Sequence, residues 1–126
     1  MNNNLVLTTF LSQINECLED ISKIYSSDKR FVAARLYLDG IKQTNPKMIL
    51  KMWKTRVTDK YYEEIEKGNI DYFIEKDFAS EDGYSQSIDA IITELKDSIK
   101  TMSPSNKTIM IQYLQNLCKL STLYVF

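Results

Sequence analysis

Residues that commonly carry catalysis are sparse in this chain of 126 residues. The chain contains no histidine, and its two cysteines, Cys17 and Cys118, lie far apart in sequence. Without histidine the chain lacks the commonest general base, the commonest neutral metal ligand and the Ser-His and Cys-His nucleophile pairs. Two isolated cysteines do not form a structural zinc site, and we interpret them as small buried apolar side chains. The sequence therefore predicts a protein that is not an enzyme and binds no cofactor.

Carboxylates in the second half of the chain are the remaining candidates for metal chemistry. Magnesium needs only oxygen ligands, which Glu75, Asp77, Glu81 and Asp82 could supply. No glycine-rich phosphate-binding loop accompanies them. We therefore interpret these residues as the charged rim of a loop, and we expect no metal site.

Charge is segregated along the chain although the net charge is only -1. Residues 29–57 hold eight Lys or Arg against one Asp, and residues 59–82 hold nine Asp or Glu against three Lys. Lys47, Lys51 and Lys54 form a stripe on one side of a predicted helix, where they could follow a nucleic acid backbone. The alternative is a solvated helix face whose charges pair with the acidic block, and the isoelectric point near 5.5 favours it.

Two residues of the same predicted helix indicate contacts with other groups. Trp53 lies on the apolar face, where it is either a core residue or a hot spot for a protein partner. Arg56 falls among apolar positions, so we expect it to be partly buried and paired with a carboxylate of residues 59–82. Asp77 is the first choice for that buried ion pair.

The last predicted helix is apolar around most of its circumference. A stripe at helical spacing is formed by Ile109, Tyr113, Leu117, Leu120 and Tyr124, and the apolar arc is widened by Met110, Ile111, Leu114, Cys118 and Val125. Such a helix is either central in a bundle or part of an interface. The chain then ends on Leu123, Tyr124, Val125 and Phe126, which would fray into water unless something covered them. We therefore predict a protein partner or a two-fold homodimer that uses this helix.

The elements that position these residues are predicted to be helical. Only 3 glycines and 2 prolines are present, too few for an all-β chain, and apolar residues recur every three or four positions. Helices are predicted from Thr8 or Thr9 to about Tyr25, after Asp28, from Pro46, from Thr58 or Asp59 to a cap at Gly68, from about Gln86 to Met102, and from Pro104. The sequence predicts one all-α domain over residues 1–126, a compact bundle of five or six helices.

Targeting signals are also missing from the sequence. No apolar run approaches the roughly 20 residues that a membrane-spanning helix needs. The first ten residues lack the basic region of a secretory signal. The expectation is an intracellular protein that is not secreted and does not bind a membrane.

The order of features in the second half of the chain is similar to that of a known group of proteins. The pattern consists of Asn45-Pro46-Lys47, Trp53, Val57, Tyr61, Ile65, Gly68-Asn69, Tyr72-Phe73 and Glu75-Lys76-Asp77-Phe78, followed by Met102-Ser103, Gln115-Asn116-Leu117, Lys119-Leu120-Ser121 and Tyr124. It resembles a family of short uncharacterised proteins of large nucleocytoplasmic DNA viruses that infect algae and protists. The resemblance covers roughly residues 45–124 and is most specific at residues 72–78. It implies a viral setting, in the virion or in a viral factory of the host cytoplasm, and it assigns no activity.

Two classes of function remain open at this level. The first is a helical protein-protein interaction or structural module, which the wide apolar arc of the last helix favours. The second is a nucleic-acid-associated accessory factor that uses the basic segment of residues 29–57.

Overall fold

A computed structural model describes residues 2–25, 29–75 and 88–126, which form six helices without a strand. We number them α1 (Asn3–Ile24), α2 (Lys29–Thr44), α3 (Pro46–Trp53, a π turn at Lys54–Thr58, and Asp59–Glu66), α4 (Ile70–Glu75), α5 (Ile88–Lys100) and α6 (Pro104–Leu123). The prediction of an all-α bundle of five or six helices is confirmed. No helix in the described part of the chain is both long and apolar enough to cross a membrane.

The starts of the helices follow local capping chemistry. The side chain of Asn2 accepts a hydrogen bond from the amide of Leu5, so α1 begins at Asn3, five residues or more before the predicted start. The predicted cap at Ser103 is confirmed, because its hydroxyl accepts a hydrogen bond from the amide of Asn106. Asn45 precedes Pro46 as predicted, but its side chain makes no capping hydrogen bond.

Helix α3 runs through the point where the sequence predicted a break near Thr58. Buried side chains recur at every fourth residue, namely Ile49, Trp53, Val57, Tyr61 and Ile65. In a regular α-helix each step of four residues overshoots a full turn by about 40°, so the first and last of them would diverge by about 160°. The π turn at Lys54–Thr58 accommodates an extra residue and turns the second half of α3 back toward the core.

The end of α3 is formed by a glycine cap, as predicted. Gly68 has φ of +80°, a conformation that glycine adopts without steric cost. Its amide donates to the carbonyl of Ile65 at 2.9 Å, and the amide of Asn69 donates to the carbonyl of Glu64 at 2.8 Å. This pair of bonds is the Schellman arrangement, which closes the helix and leads the chain into α4.

Helix α6 packs against α1 and both halves of α3. It runs antiparallel to α1, since Asn3 bonds to Val125 near one end and Cys17 lies beside Met110 near the other. Its core face is Met110, Leu114, Leu117, Cys118 and Ser121. The bundle itself therefore buries much of the wide apolar arc, whereas Ile109, which the sequence assigned to the main stripe, is exposed.

Candidate interaction surface

Both cysteines are buried and chemically quiet. Burial, reinforced by the charge of Asp20, raises the pKa of Cys17 to about 12. Burial also raises the pKa of Cys118 to about 11, although the hydroxyl of Thr58 and the indole of Trp53 act in the opposite direction. Because the thiolate is the nucleophile and the metal ligand, neither side chain is activated at neutral pH.

The described residues contain no group of metal-binding side chains. Of the four carboxylates weighed from the sequence, Glu75 ends α4 and is exposed, and the other three lie outside the described residues. A cavity of about 30 Å³ lies in the core among α1, α2, α3, α5 and α6. Its lining is apolar, and it is far smaller than the roughly 300 Å³ or more of an organic ligand site.

Lys96 is a buried cation that the sequence analysis missed. Its side chain is only 3% exposed, and Nζ lies 4.7 Å from the ring centre of Phe73 and 5.4 Å from that of Tyr61. The negative faces of these two rings stabilise the ammonium group inside the bundle. This contact joins α5 to α3 and α4 and contributes to the packing of the bundle.

The predicted basic stripe is only partly available to a ligand. Lys47 and Lys51 are exposed and make no ion pair within the described part of the chain. Lys54 instead bonds to Asp59 of the acidic block, with Nζ 2.9 Å from Oδ1. The internal pairing that the sequence suggested therefore holds for this lysine and not for the other two.

Trp53 is buried in the core, and Arg56 is partly buried. Trp53 is 4% exposed and its ring meets the ring of Phe10 edge to face, with centroids 6.4 Å apart. It is therefore a core residue, and its assignment to a partner interface is wrong for this fold. Arg56 lies partly buried within the π turn. Its proposed partner, Asp77, lies outside the described residues, so that ion pair stays a prediction.

The C-terminal residues are held against α1 by a side chain. The side-chain nitrogen Nδ2 of Asn3 donates to the backbone carbonyl of Val125 at 2.8 Å. The side-chain oxygen Oδ1 of Asn3 accepts from the backbone amide of Val125 at 3.0 Å. Tyr124 is buried, which removes it from the predicted partner surface, while Leu123 and Phe126 remain exposed. The bundle thus holds this segment without a partner, and only part of its apolar surface is uncovered.

The solvent side of α2 carries a group of exposed apolar residues. Its inner side is buried through Ala34, Leu38 and Ile41. Its opposite side, which we call the outer face of α2, is formed by Val32, Ala33, Leu36, Tyr37 and Gly40, all of them exposed. Leu36 and Val32 are 67% and 57% exposed, one helical turn apart. The sequence carries a signal for this face, because these residues lie opposite Ala34, Leu38 and Ile41 at helical spacing.

One flank of the outer face is charged. Arg35, Asp39 and Lys42 line the groove where α2 meets α1. Arg35 donates to Glu19 across this groove, with Nη2 3.3 Å from Oε1. Asp39 is exposed and makes no ion pair within the described residues. The surface of α2 therefore combines an apolar strip with a flank that carries charges of both signs.

Comparisons with protein-family models, with curated proteins and with solved structures each gave no match to this chain.

Proposed function

We propose that this chain is a non-enzymatic helical module for protein-protein interaction, and that it binds its partner through the outer face of α2. With the family resemblance, the proposed setting is a large DNA virus, in the virion or in a viral factory of the host cytoplasm. The observation that carries the proposal is the exposure of Val32, Leu36 and Tyr37 on one rigid helix. Contiguous exposed apolar residues on a small domain mark interaction sites, whereas single ones need no explanation.

Energetics favour α2 over the other exposed apolar residues. Burying a large aliphatic side chain contributes roughly 1.5–3 kcal/mol, so Val32 and Leu36 together could supply much of the free energy of a modest interface. They lie at i and i+4, the spacing by which a helix presents a continuous strip to another helix. Leu123 is 51% exposed but lies at the end of α6, where it offers a matched control.

A comparative capture experiment tests this proposal. Tagged protein with Leu36→Glu is compared with wild type and with Leu123→Glu in extracts of the cells that contain it, after circular dichroism shows equal helicity. Proteins retained by wild type and by Leu123→Glu, but lost with Leu36→Glu, are expected. The same retained set with all three proteins would contradict the proposal, because the outer face of α2 would then contribute nothing.

Binding to nucleic acid is the second candidate, and it is favoured by Lys47 and Lys51, which are exposed and make no ion pair with the residues that the structure describes. Few phosphates could be neutralised by two lysines, and binding should be weak and strongly salt-dependent. We expect no submicromolar binding of duplex DNA or RNA at physiological salt. Tight binding that is weakened by replacing Lys47, Lys51 and Lys54 together would favour this second function.

A further inference from the structure

We propose that the partner covering the outer face of α2 is a second copy of this chain, in an antiparallel, two-fold symmetric contact. This inference rests on the proposed function and names its partner. It is derived from the order of side chains along α2, which is complementary to itself when the helix is reversed.

The apolar residues fit this arrangement when the two-fold axis passes close to residues 36 and 37. Leu36 then packs near Leu36 of the second copy at the centre of the contact. Ala33 lies opposite Gly40 of the second copy, and the same pair recurs at the other end. Small side chains at these positions let two helix backbones approach closely. Gly40 is open for this contact, since beyond its own turn of helix a Cβ atom at that position would meet no atom of the described residues within 4 Å.

The charges select the antiparallel orientation. A two-fold axis that reverses one helix against the other brings the same flank of both helices together. Arg35 and Asp39 share a flank and are four residues apart, with their midpoint at residue 37. Each Arg35 therefore lies opposite Asp39 of the second copy, which forms two equivalent ion pairs. A parallel contact would instead bring opposite flanks together and leave these charges unmatched.

Both side chains are available for those ion pairs. Asp39 is exposed and makes no ion pair within the described residues. Arg35 uses Nη2 for Glu19, and its side chain is 38% exposed. A guanidinium carries five N–H donors, so Arg35 can bind a second carboxylate without releasing the first. The second copy therefore provides a cation for Asp39, which none of the described residues of the single chain does.

The size of α2 sets the strength of the contact. A helix of 16 residues is about 24 Å long, so a contact confined to this helix buries less than the roughly 800 Å² per partner of a standard interface. We therefore expect a dissociation constant in the range of about 10 to 100 µM.

Disulfide trapping tests the orientation with two exposed positions of the same helix. Leu36→Cys lies near the two-fold axis, whereas Gln43→Cys would lie about 20 Å along the helix from its counterpart. A disulfide requires Cα atoms within about 7 Å. Mild oxidation of the full chain should link the Leu36→Cys variant into covalent dimers and leave Gln43→Cys monomeric. Linkage at both positions, or at neither, would overturn the proposal; the buried native thiols should not contribute.

Charge exchange provides an independent test in which misfolding cannot imitate the expected result. Arg35→Asp and Asp39→Arg each place like charges opposite one another in a homodimer, so each variant alone should dimerise at least about tenfold more weakly, a change of the size expected for like-charge juxtaposition. An equimolar mixture should regain dimers. The acidic residues at positions 35 and 39 of one variant then lie opposite the basic residues at positions 39 and 35 of the other. A mixture no more associated than its two components would overturn the proposal.

The two proposals can fail separately. Wild-type protein that stays monomeric while Leu36→Glu still abolishes capture of another protein would refute the second copy and leave the interaction function of α2 intact. Failure of both measurements would refute both.

Discussion

The buried cysteines should make this protein less stable in mild alkali. In the unfolded chain both thiols ionise near the ordinary cysteine pKa of 9.0, whereas burial raises the pKa of Cys17 to about 12 and that of Cys118 to about 11 in the folded state. Because the folded pKa is the higher one, the stabilisation is complete below pH 9 and is lost as the pH rises toward the folded value. Between these values each thiol lowers the free energy of unfolding by about 1.4 kcal/mol per pH unit.

From pH 8 to pH 10 this amounts to about 1 kcal/mol for each thiol and about 2 to 3 kcal/mol for both. Urea denaturation at the two pH values measures it, with the single, buried Trp53 as the fluorescent reporter. The control is a variant with Cys17→Ala and Cys118→Ala. The small cavities that these changes leave lower its stability equally at both pH values, so they do not affect the difference between the two. An equal loss of stability in wild type and in this variant would refute the assignment to the thiols.

Three further perturbations test the packing of the bundle. The buried hydroxyls of Thr58 and Ser121 are 2.6 Å apart, so Ser121→Ala should lower the free energy of unfolding by about 1–3 kcal/mol. In a double-mutant cycle measured by urea denaturation, the double variant with Ser121→Ala and Thr58→Val should lose less stability than the two single variants together. Deleting the exposed Thr55 removes the extra residue, so Lys54–Thr58 should become regular α-helix with Val57 and Tyr61 still facing the core, and the melting temperature should fall little; a large fall would mean that the π turn does more than accommodate one extra residue. Asn3→Ala should release the C-terminal residues, seen as faster chymotrypsin cleavage beside Tyr124, and an unaltered cleavage rate would show that the two hydrogen bonds of Asn3 do not hold this segment.

Local chemistry made several elements of the fold predictable from the sequence. Gly68 ends α3 and Ser103 caps α6, because both depend on interactions within a few residues. The all-α class was also predictable, because apolar residues that recur every three or four positions form one face of a helix. Helix α1 begins earlier than predicted because Asn2 caps it, and asparagine is among the best capping residues.

Features that depend on tertiary contacts were harder to predict. Residues 54–58 form a π turn, which brings both Val57 and Tyr61 to the core, whereas the polar local sequence also fits a break between two helices. The burial of Lys96 depends on Phe73 and Tyr61, which lie distant in sequence. The packing of α6 against α1 and α3 likewise depends on tertiary contacts, and it buries enough of the apolar arc of α6 to move the candidate interface to the outer face of α2.

The claim that the outer face of α2 binds a second copy of this chain is tested most directly by sedimentation velocity over a dilution series of wild type, Leu36→Glu and Leu123→Glu. We predict a reversible shift from dimer to monomer for wild type and for Leu123→Glu, and a monomer at every concentration for Leu36→Glu. A wild-type monomer throughout, or a dimer that Leu123→Glu dissociates and Leu36→Glu does not, would contradict the account.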